Sequence, residues 1–209
     1  MTDKKVNFFL VHTEYHLLIA LKLIFDNYLK DDYNNLVYIT KSNKRFNSLK
    51  EIEAINKNYR GIELKVPQGK VNKELYSEIV NILVDHFFFF QENSIWNRAI
   101  AFSLKKKYET KISLCPDGYK PYADYNKSHE FLSMLLDTYR DQETLFKSKI
   151  ILNRLLWSRH YRYGSSFFID FVWLTEASYF NASHNRFKGE LRKIEDFDEK
   201  SFKFLNQFF

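Results

Sequence analysis

Two short segments of this chain carry residue types that could act on a substrate. One runs from residue 12 to 16 (HTEYH) and the other from 115 to 122 (CPDGYKPY). In the second segment, Asp117 is a carboxylate that could take the proton from an attacking hydroxyl group, as a general base does. Tyr119 and Tyr122 add rings and hydroxyl groups suited to holding a sugar. The chemistry indicated is transfer of a group to a hydroxyl-bearing acceptor.

The first segment supplies polar side chains at the predicted start of a helix. Thr13, Glu14 and His16 are candidates for contact with an anionic or hydroxyl-rich substrate there. His12 and His16 are four positions apart, which on one helix would suit a metal. His12 is expected to end a strand, however, so we expect no metal site. Packing or capping roles for the two histidines remain open.

Asp117 and Gly118 have a structural interpretation as well. Asp-Gly is a common turn signal, because glycine accepts a positive φ and Asp bonds to its own backbone. Gly118 is counted among the substrate-binding candidates because the turn follows an apolar strand and precedes Tyr119. From the residues alone, a turn and a catalytic loop remain equally open.

Several enzyme classes lack their motifs in this sequence. The loop at residues 12–16 has no glycine, so it matches neither a dinucleotide-binding fingerprint nor a phosphate-binding P-loop. Gly-x-Ser-x-Gly and His-Glu-x-x-His are also missing. Cys115 is the single cysteine, which rules out an internal disulfide and a cysteine-rich zinc site.

The elements that must position these segments alternate between strand and helix. Short apolar runs at residues 6–12, 36–40, 62–66, 86–91 and 111–115 are typical of strands. Helical periodicity links them at 15–30, 46–57, 72–83 and 95–107, and Thr13 can cap the first of these helices. Such alternation predicts an α/β, Rossmann-like fold: a mainly parallel sheet of about five to seven strands with helices on both faces.

Beyond Gly118 the pattern is weaker. We predict helices at residues 130–140 and 144–157 and a strand at 167–175. The segment 196–209 reads as an apolar helix rich in phenylalanine, which should pack on the domain or on another copy. With no linker-like stretch, residues 1–209 are expected to form one domain, and residues 190–209 could lead into a further domain.

The charge and composition limit the classes of partner that the chain is expected to bind. The net charge is +6 with a sequence pI near 9.1, yet lysines and arginines are interspersed with acids, so nucleic acid is not an expected partner. A basic surface suits an anionic substrate or peripheral contact with the inner membrane. With no signal-peptide pattern and no long apolar run, we expect a cytoplasmic protein, and a homo-oligomer remains open.

At the two segments the sequence resembles the amino-terminal domain of bacterial GT-B sialyltransferases and polysialyltransferases. Those proteins also begin with a strand, a Thr- or Ser-containing loop and a long apolar helix, as FFLVHTEYHLLIALKLI does here. Farther on they carry an acid-acid-Gly motif after a strand, and its second acid, the general base, corresponds to Asp117. Pro116 stands in place of the first acid.

The resemblance covers residues 6–125 and implies a function. The chain would be the acceptor-side domain of a metal-independent, inverting glycosyltransferase of surface polysaccharide or lipooligosaccharide synthesis. A saccharide would be the acceptor, and a nucleotide sugar, such as CMP-sialic acid, would be bound by a second domain without any cofactor. That domain carries a His-Pro motif in the family, and no His-Pro dipeptide occurs here. The chain by itself is then expected to be inactive or nearly so.

Two other interpretations remain. The same loops could recognise an anionic small molecule in a non-enzymatic binding or regulatory domain, with Asp117 and Gly118 forming only a turn. A hydrolase or another sugar-nucleotide enzyme on a similar scaffold is the third possibility.

Overall fold

Across the residues that the structure describes, the chain folds around a seven-stranded parallel sheet flanked by helices. The computed structural model describes residues 4–29, 32–40, 52–67, 71–92, 94–118, 164, 166–176, 187 and 189–209. Its strands are β1 (Lys5–Val11), β2 (Tyr33–Ile39), β3 (Ile62–Lys65), β4 (His86–Phe89), β5 (Lys111–Leu114), β6 (Phe171–Leu174) and β7 (Glu190–Lys193). Its helices are α1 (Glu14–Leu23), α2 (Ile52–Asn58), α3 (Lys73–Ile79), α4 (Ile95–Tyr108) and α5 (Glu199–Leu205).

The strand order is β3-β2-β1-β4-β5-β6-β7, and every neighbouring pair is parallel. The predicted α/β, Rossmann-like class is therefore confirmed. Strands β2 and β3 are added on one side of β1, and strands β4 to β7 are added on its other side. The direction in which successive strands extend the sheet therefore reverses between β1 and β4. In open α/β sheets, ligands bind at the carboxyl edge beside such a reversal, because the loops that leave the two strands run to opposite faces of the sheet.

Central strands are apolar on both sides because helices cover both faces of the sheet. Phe9 and Val11 of β1 belong to the core beneath α1, α2 and α5. Phe8 and Leu10, which alternate with them, belong to the core beneath α3 and α4. This division matches the period of two of a strand and places α1 and α4 on opposite faces of the sheet.

Local signals determine where the helices begin. Thr13, Asn72 and Ser94 cap α1, α3 and α4, each accepting a hydrogen bond from the backbone N–H three residues on. Asp198 and Ser201 form a reciprocal capping box at α5. Side-chain oxygens thus satisfy N–H groups that have no partner within the helix.

Several boundaries differ from those predicted. The first helix was expected at residues 15–30, but α1 ends at Leu23 and continues as a π-helical segment, Ile24–Tyr28. Strand β7 was not predicted because its sequence, ELRK, is polar and largely exposed at the edge of the sheet. Residues 46–51 of the second predicted helix lie outside the described residues, as do the helices predicted at 130–140 and 144–157.

The carboxyl-terminal segment packs on the domain, as predicted. Phe204, Leu205 and Phe208 are buried in the core shared with α1, and Tyr59 stacks on Phe208 at 4.9 Å between ring centroids. Phe202, by contrast, remains 53% exposed.

Within the described segments, no helix is both long enough and apolar enough to span a membrane.

Candidate functional site

The candidate site lies at the carboxyl edge of the sheet, where β1, β4 and β5 end. Strand β1 ends at Val11, one residue earlier than predicted, so His12 is the first residue beyond it. Thr13 then caps α1 by accepting a hydrogen bond from the backbone N–H of His16 at 3.1 Å. This cap fixes the first helical turn and thereby the direction in which the His16 side chain leaves it.

The structure brings together the two segments identified in the sequence. His16 Nε2 lies 3.1 Å from Asp117 Oδ1. The imidazole is 1% exposed and stacks on Phe90, with 4.4 Å between ring centroids and an angle of 13° between the rings. Asp117 is 15% exposed, so its carboxylate is held from the protein side while it still reaches solvent.

The second nitrogen of His16 defines how this contact works. His16 Nδ1 accepts a hydrogen bond from the backbone N–H of His12 at 3.3 Å and therefore carries no hydrogen. The ring hydrogen is then on Nε2, which donates it to Asp117 Oδ1. Because both of its nitrogens are engaged, His16 acts to orient the Asp117 carboxylate and is not itself the proton acceptor.

His12 is held by two further polar groups. Its Nε2 accepts a hydrogen bond from Asn97 Nδ2 at 3.0 Å, so its Nδ1 carries the hydrogen and donates it to Thr40 Oγ1. Thr40 in turn donates to the Val11 carbonyl at 3.1 Å. Burial, with the nearby His16 as a smaller cause, lowers the pKa of His12 to about 4, so this ring is neutral near pH 7.

The remaining predicted residues have different positions. Glu14 is half-buried in the first turn of α1, where a carboxylate interacts favourably with the helix dipole. Gly118 has a φ of 60° and is exposed, which agrees with a turn directly after Asp117. Tyr119 and Tyr122 lie outside the described residues.

Sequence reasoning missed two polar groups near the end of β4. Asn97, in the first turn of α4, is fully buried, and its Oδ1 has no hydrogen-bond partner within the described structure. Glu92 is also buried and accepts hydrogen bonds from the backbone N–H groups of Gly164 and Ser166. Burial raises the pKa of Glu92 above its usual value. The rule that singled out Asp117, a polar residue just beyond an apolar strand, would also have found Glu92.

Across the described ranges, no three His, Cys, Asp or Glu side chains are grouped so that they could hold a metal ion.

Comparisons of the chain with protein-family models, with curated proteins and with solved structures find no match. The functional argument therefore depends on the geometry of the site.

Proposed function

We propose that this chain is the acceptor-side domain of an inverting, GT-B-type glycosyltransferase, with Asp117 as its general base. The observation that carries the proposal is the hydrogen bond from His16 Nε2 to Asp117 Oδ1 at the carboxyl edge. It gives one solvent-reaching carboxylate a defined orientation at the place where open α/β sheets bind their ligands.

The proposed reaction requires one proton acceptor on this domain. The acceptor hydroxyl oxygen forms a bond to the anomeric carbon of the donor sugar, and its proton passes to Asp117. At the same time the bond from that carbon to the nucleotide phosphate breaks, and the phosphate leaves with the bonding electron pair. The amino termini of α1 and α4 point toward this edge and favour negative charge there.

The proposed substrates follow from the same assignment. The acceptor is a saccharide of surface polysaccharide or lipooligosaccharide synthesis, and the donor is a nucleotide sugar such as CMP-sialic acid, bound through a second domain. Such acceptors are met at the cytoplasmic face of the inner membrane, where a basic protein with a net charge of +6 is attracted to anionic lipid.

A binding domain without chemistry is the second candidate, and one observation favours it. All four ring nitrogens of His12 and His16 are engaged in internal hydrogen bonds. Those histidines then serve to shape the site, and Asp117 would be a ligand-binding carboxylate.

Asp117→Asn separates the two functions. We expect the variant to bind the same oligosaccharides as wild type on a glycan array, because the side chain keeps its shape. Sugar transfer by the full-length gene product, followed by mass spectrometry with a panel of nucleotide sugars, should fall by about 10² to 10⁴. Asp196→Asn, which alters an exposed carboxylate, is the matched control and should transfer normally.

Two results would overturn the proposal. Transfer near the wild-type rate by a well-folded Asp117→Asn protein would remove the catalytic assignment. Saccharide binding without transfer from any donor in the panel would favour the binding domain.

A further inference from the structure

A cavity lies at the amino edge of the sheet, opposite the edge that carries Asp117. Its volume is about 560 Å³, within the range of roughly 300–1,000 Å³ that is typical of small-molecule sites. The cavity is formed where the π-helical segment ends and where β1, β2 and β3 begin. Its walls include Lys4, Tyr28, Tyr33, Asn35, Arg60 and Gly61.

A buried asparagine holds the walls of this cavity in place. Asn35 is 1% exposed, and its Nδ2 donates to the carbonyl oxygens of Tyr28 at 3.0 Å and Gly61 at 2.9 Å. Its Oδ1 accepts from Asn7 Nδ2 at 2.9 Å, so every polar atom of the amide is satisfied. These hydrogen bonds join β1, the π-helical segment, β2 and the loop before β3 at the cavity without any ligand.

Gly61 allows the loop before β3 to close against β2. Its φ is 84°, a conformation that residues with a side chain rarely adopt, and a Cβ there would lie 3.3 Å from the Tyr33 carbonyl oxygen. The loop therefore reaches its position, with Arg60 at the rim, through a glycine.

The charge of the cavity is positive and uncompensated within the described structure. Lys4 and Arg60 are exposed, and neither makes an ion pair or a hydrogen bond with any described residue. No acidic side chain is among the described residues that line the cavity. Arginine presents a planar set of donors that matches the oxygens of a phosphate, and lysine adds a second positive charge.

Aromatic side chains complete the walls. The rings of Tyr28 and Tyr33 lie 5.3 Å apart between centroids at an angle of 72°. Tyr28 is buried and meets Tyr33 edge to face, so the partly exposed ring of Tyr33 is the aromatic surface that can face the cavity.

We propose that this cavity is a second binding site, separate from the Asp117 site, for an anionic ligand of nucleotide size that carries both a phosphate group and a planar ring. Arg60 and Lys4 bind the phosphate oxygens, and the ring of Tyr33, supported from behind by the buried Tyr28, contacts the planar ring. The site is preformed because Asn35 fixes its walls.

Isothermal titration calorimetry with the four common nucleoside monophosphates tests the proposal. We expect at least one to bind more tightly than inorganic phosphate or its own nucleoside. The double variant Lys4→Gln/Arg60→Gln should weaken that binding about tenfold or more, because both charged contacts are removed. The control Lys57→Gln/Lys73→Gln removes the same charge from exposed positions that do not line the cavity and should bind as wild type does. Asp117→Asn should bind normally as well.

Two outcomes would overturn this second site. One is that no nucleoside monophosphate binds more tightly than inorganic phosphate. The other is that both double variants weaken binding equally, which would indicate unspecific attraction to a basic protein. As a check of location, the backbone amide signal of Gly61 should shift in NMR spectra on titration, and failure of that signal to shift would also contradict the proposal.

Discussion

Replacing His16 with phenylalanine tests the contact on which the candidate site depends. Phenylalanine keeps a flat ring that can stack on Phe90, as the imidazole does at 4.4 Å. It removes the Nε2–H donor to Asp117 and the Nδ1 acceptor of the His12 backbone N–H. The change therefore removes two hydrogen bonds while largely preserving the packing.

The expected loss of stability follows from these two contacts. A hydrogen bond to a charged group contributes about 1.5–3 kcal/mol, and leaving a buried N–H without a partner costs about 1–3 kcal/mol. Together they predict a fall of about 2.5–6 kcal/mol in the free energy of unfolding. For a chain of 209 residues, Tm falls by roughly 2–4 °C per kcal/mol, so a decrease of about 5–24 °C is expected.

A double-mutant cycle isolates the pair. We would measure urea unfolding of wild type, His16→Phe, Asp117→Ala and the double variant, with unchanged m-values as the test that the denatured state is comparable. The coupling energy between the two positions should be about 1.5–3 kcal/mol, because either single change already removes the charged hydrogen bond.

His86→Phe provides the matched control. His86 is also a partly buried imidazole, stacked on Phe88 at 4.0 Å and hydrogen-bonded to Ser113, but it lies at the opposite end of β4. In the double variant His86→Phe/Asp117→Ala, the losses of unfolding free energy from the two single changes should therefore add to within about 0.5 kcal/mol. If the His16 cycle is equally additive, the two side chains do not interact in the folded protein and the argument for an oriented base fails.

Three further predictions concern the framework of the site. Burial raises the pKa of Glu92, so the folded protein binds a proton more tightly than the unfolded chain, and the stability from that proton should be lost as pH rises above about 4.5. Because the lowered pKa values of His12 and His86 affect both proteins alike, the prediction concerns the difference: above about pH 4.5, urea unfolding should show wild type losing stability relative to Glu92→Gln as the pH rises, and parallel curves would contradict this. Phe208→Ala should cost about 3–5 kcal/mol, whereas Phe202→Ala at an exposed position should change stability by less than about 0.5 kcal/mol, and similar losses would mean that the segment is not docked as described. Thr13→Ala should lower the unfolding free energy by about 0.5–2 kcal/mol because α1 loses its cap, and an unchanged midpoint would argue against that cap.

Sequence patterns predicted the fold well where strands are apolar and helices carry caps. Strands β1 to β5 all overlap the predicted runs, and Thr13 caps α1 as expected. Strand β7 was not predicted because it lies at the edge of the sheet and is largely exposed, so its residues do not need to be apolar. The end of α1 was not predicted either, because residues 24–28 keep the apolar spacing of a helix while their backbone changes to a π-helix.

At the site, the sequence by itself singled out Asp117, Thr13 and His16, because each lies just beyond a predicted strand and that position can be identified within a short window of residues. It could not show that His16 contacts Asp117, which is 101 positions away. That contact depends on the crossover from β3 to β4, which places β4 beside β1 and so brings β5 close to the first helix. The tertiary structure alone also determined which nitrogen of His16 carries the hydrogen, because a backbone N–H becomes its partner only once the turn has folded. Local hydrogen bonds and periodicity are encoded in neighbouring residues, whereas the partners of a buried polar side chain are set by which strands become neighbours.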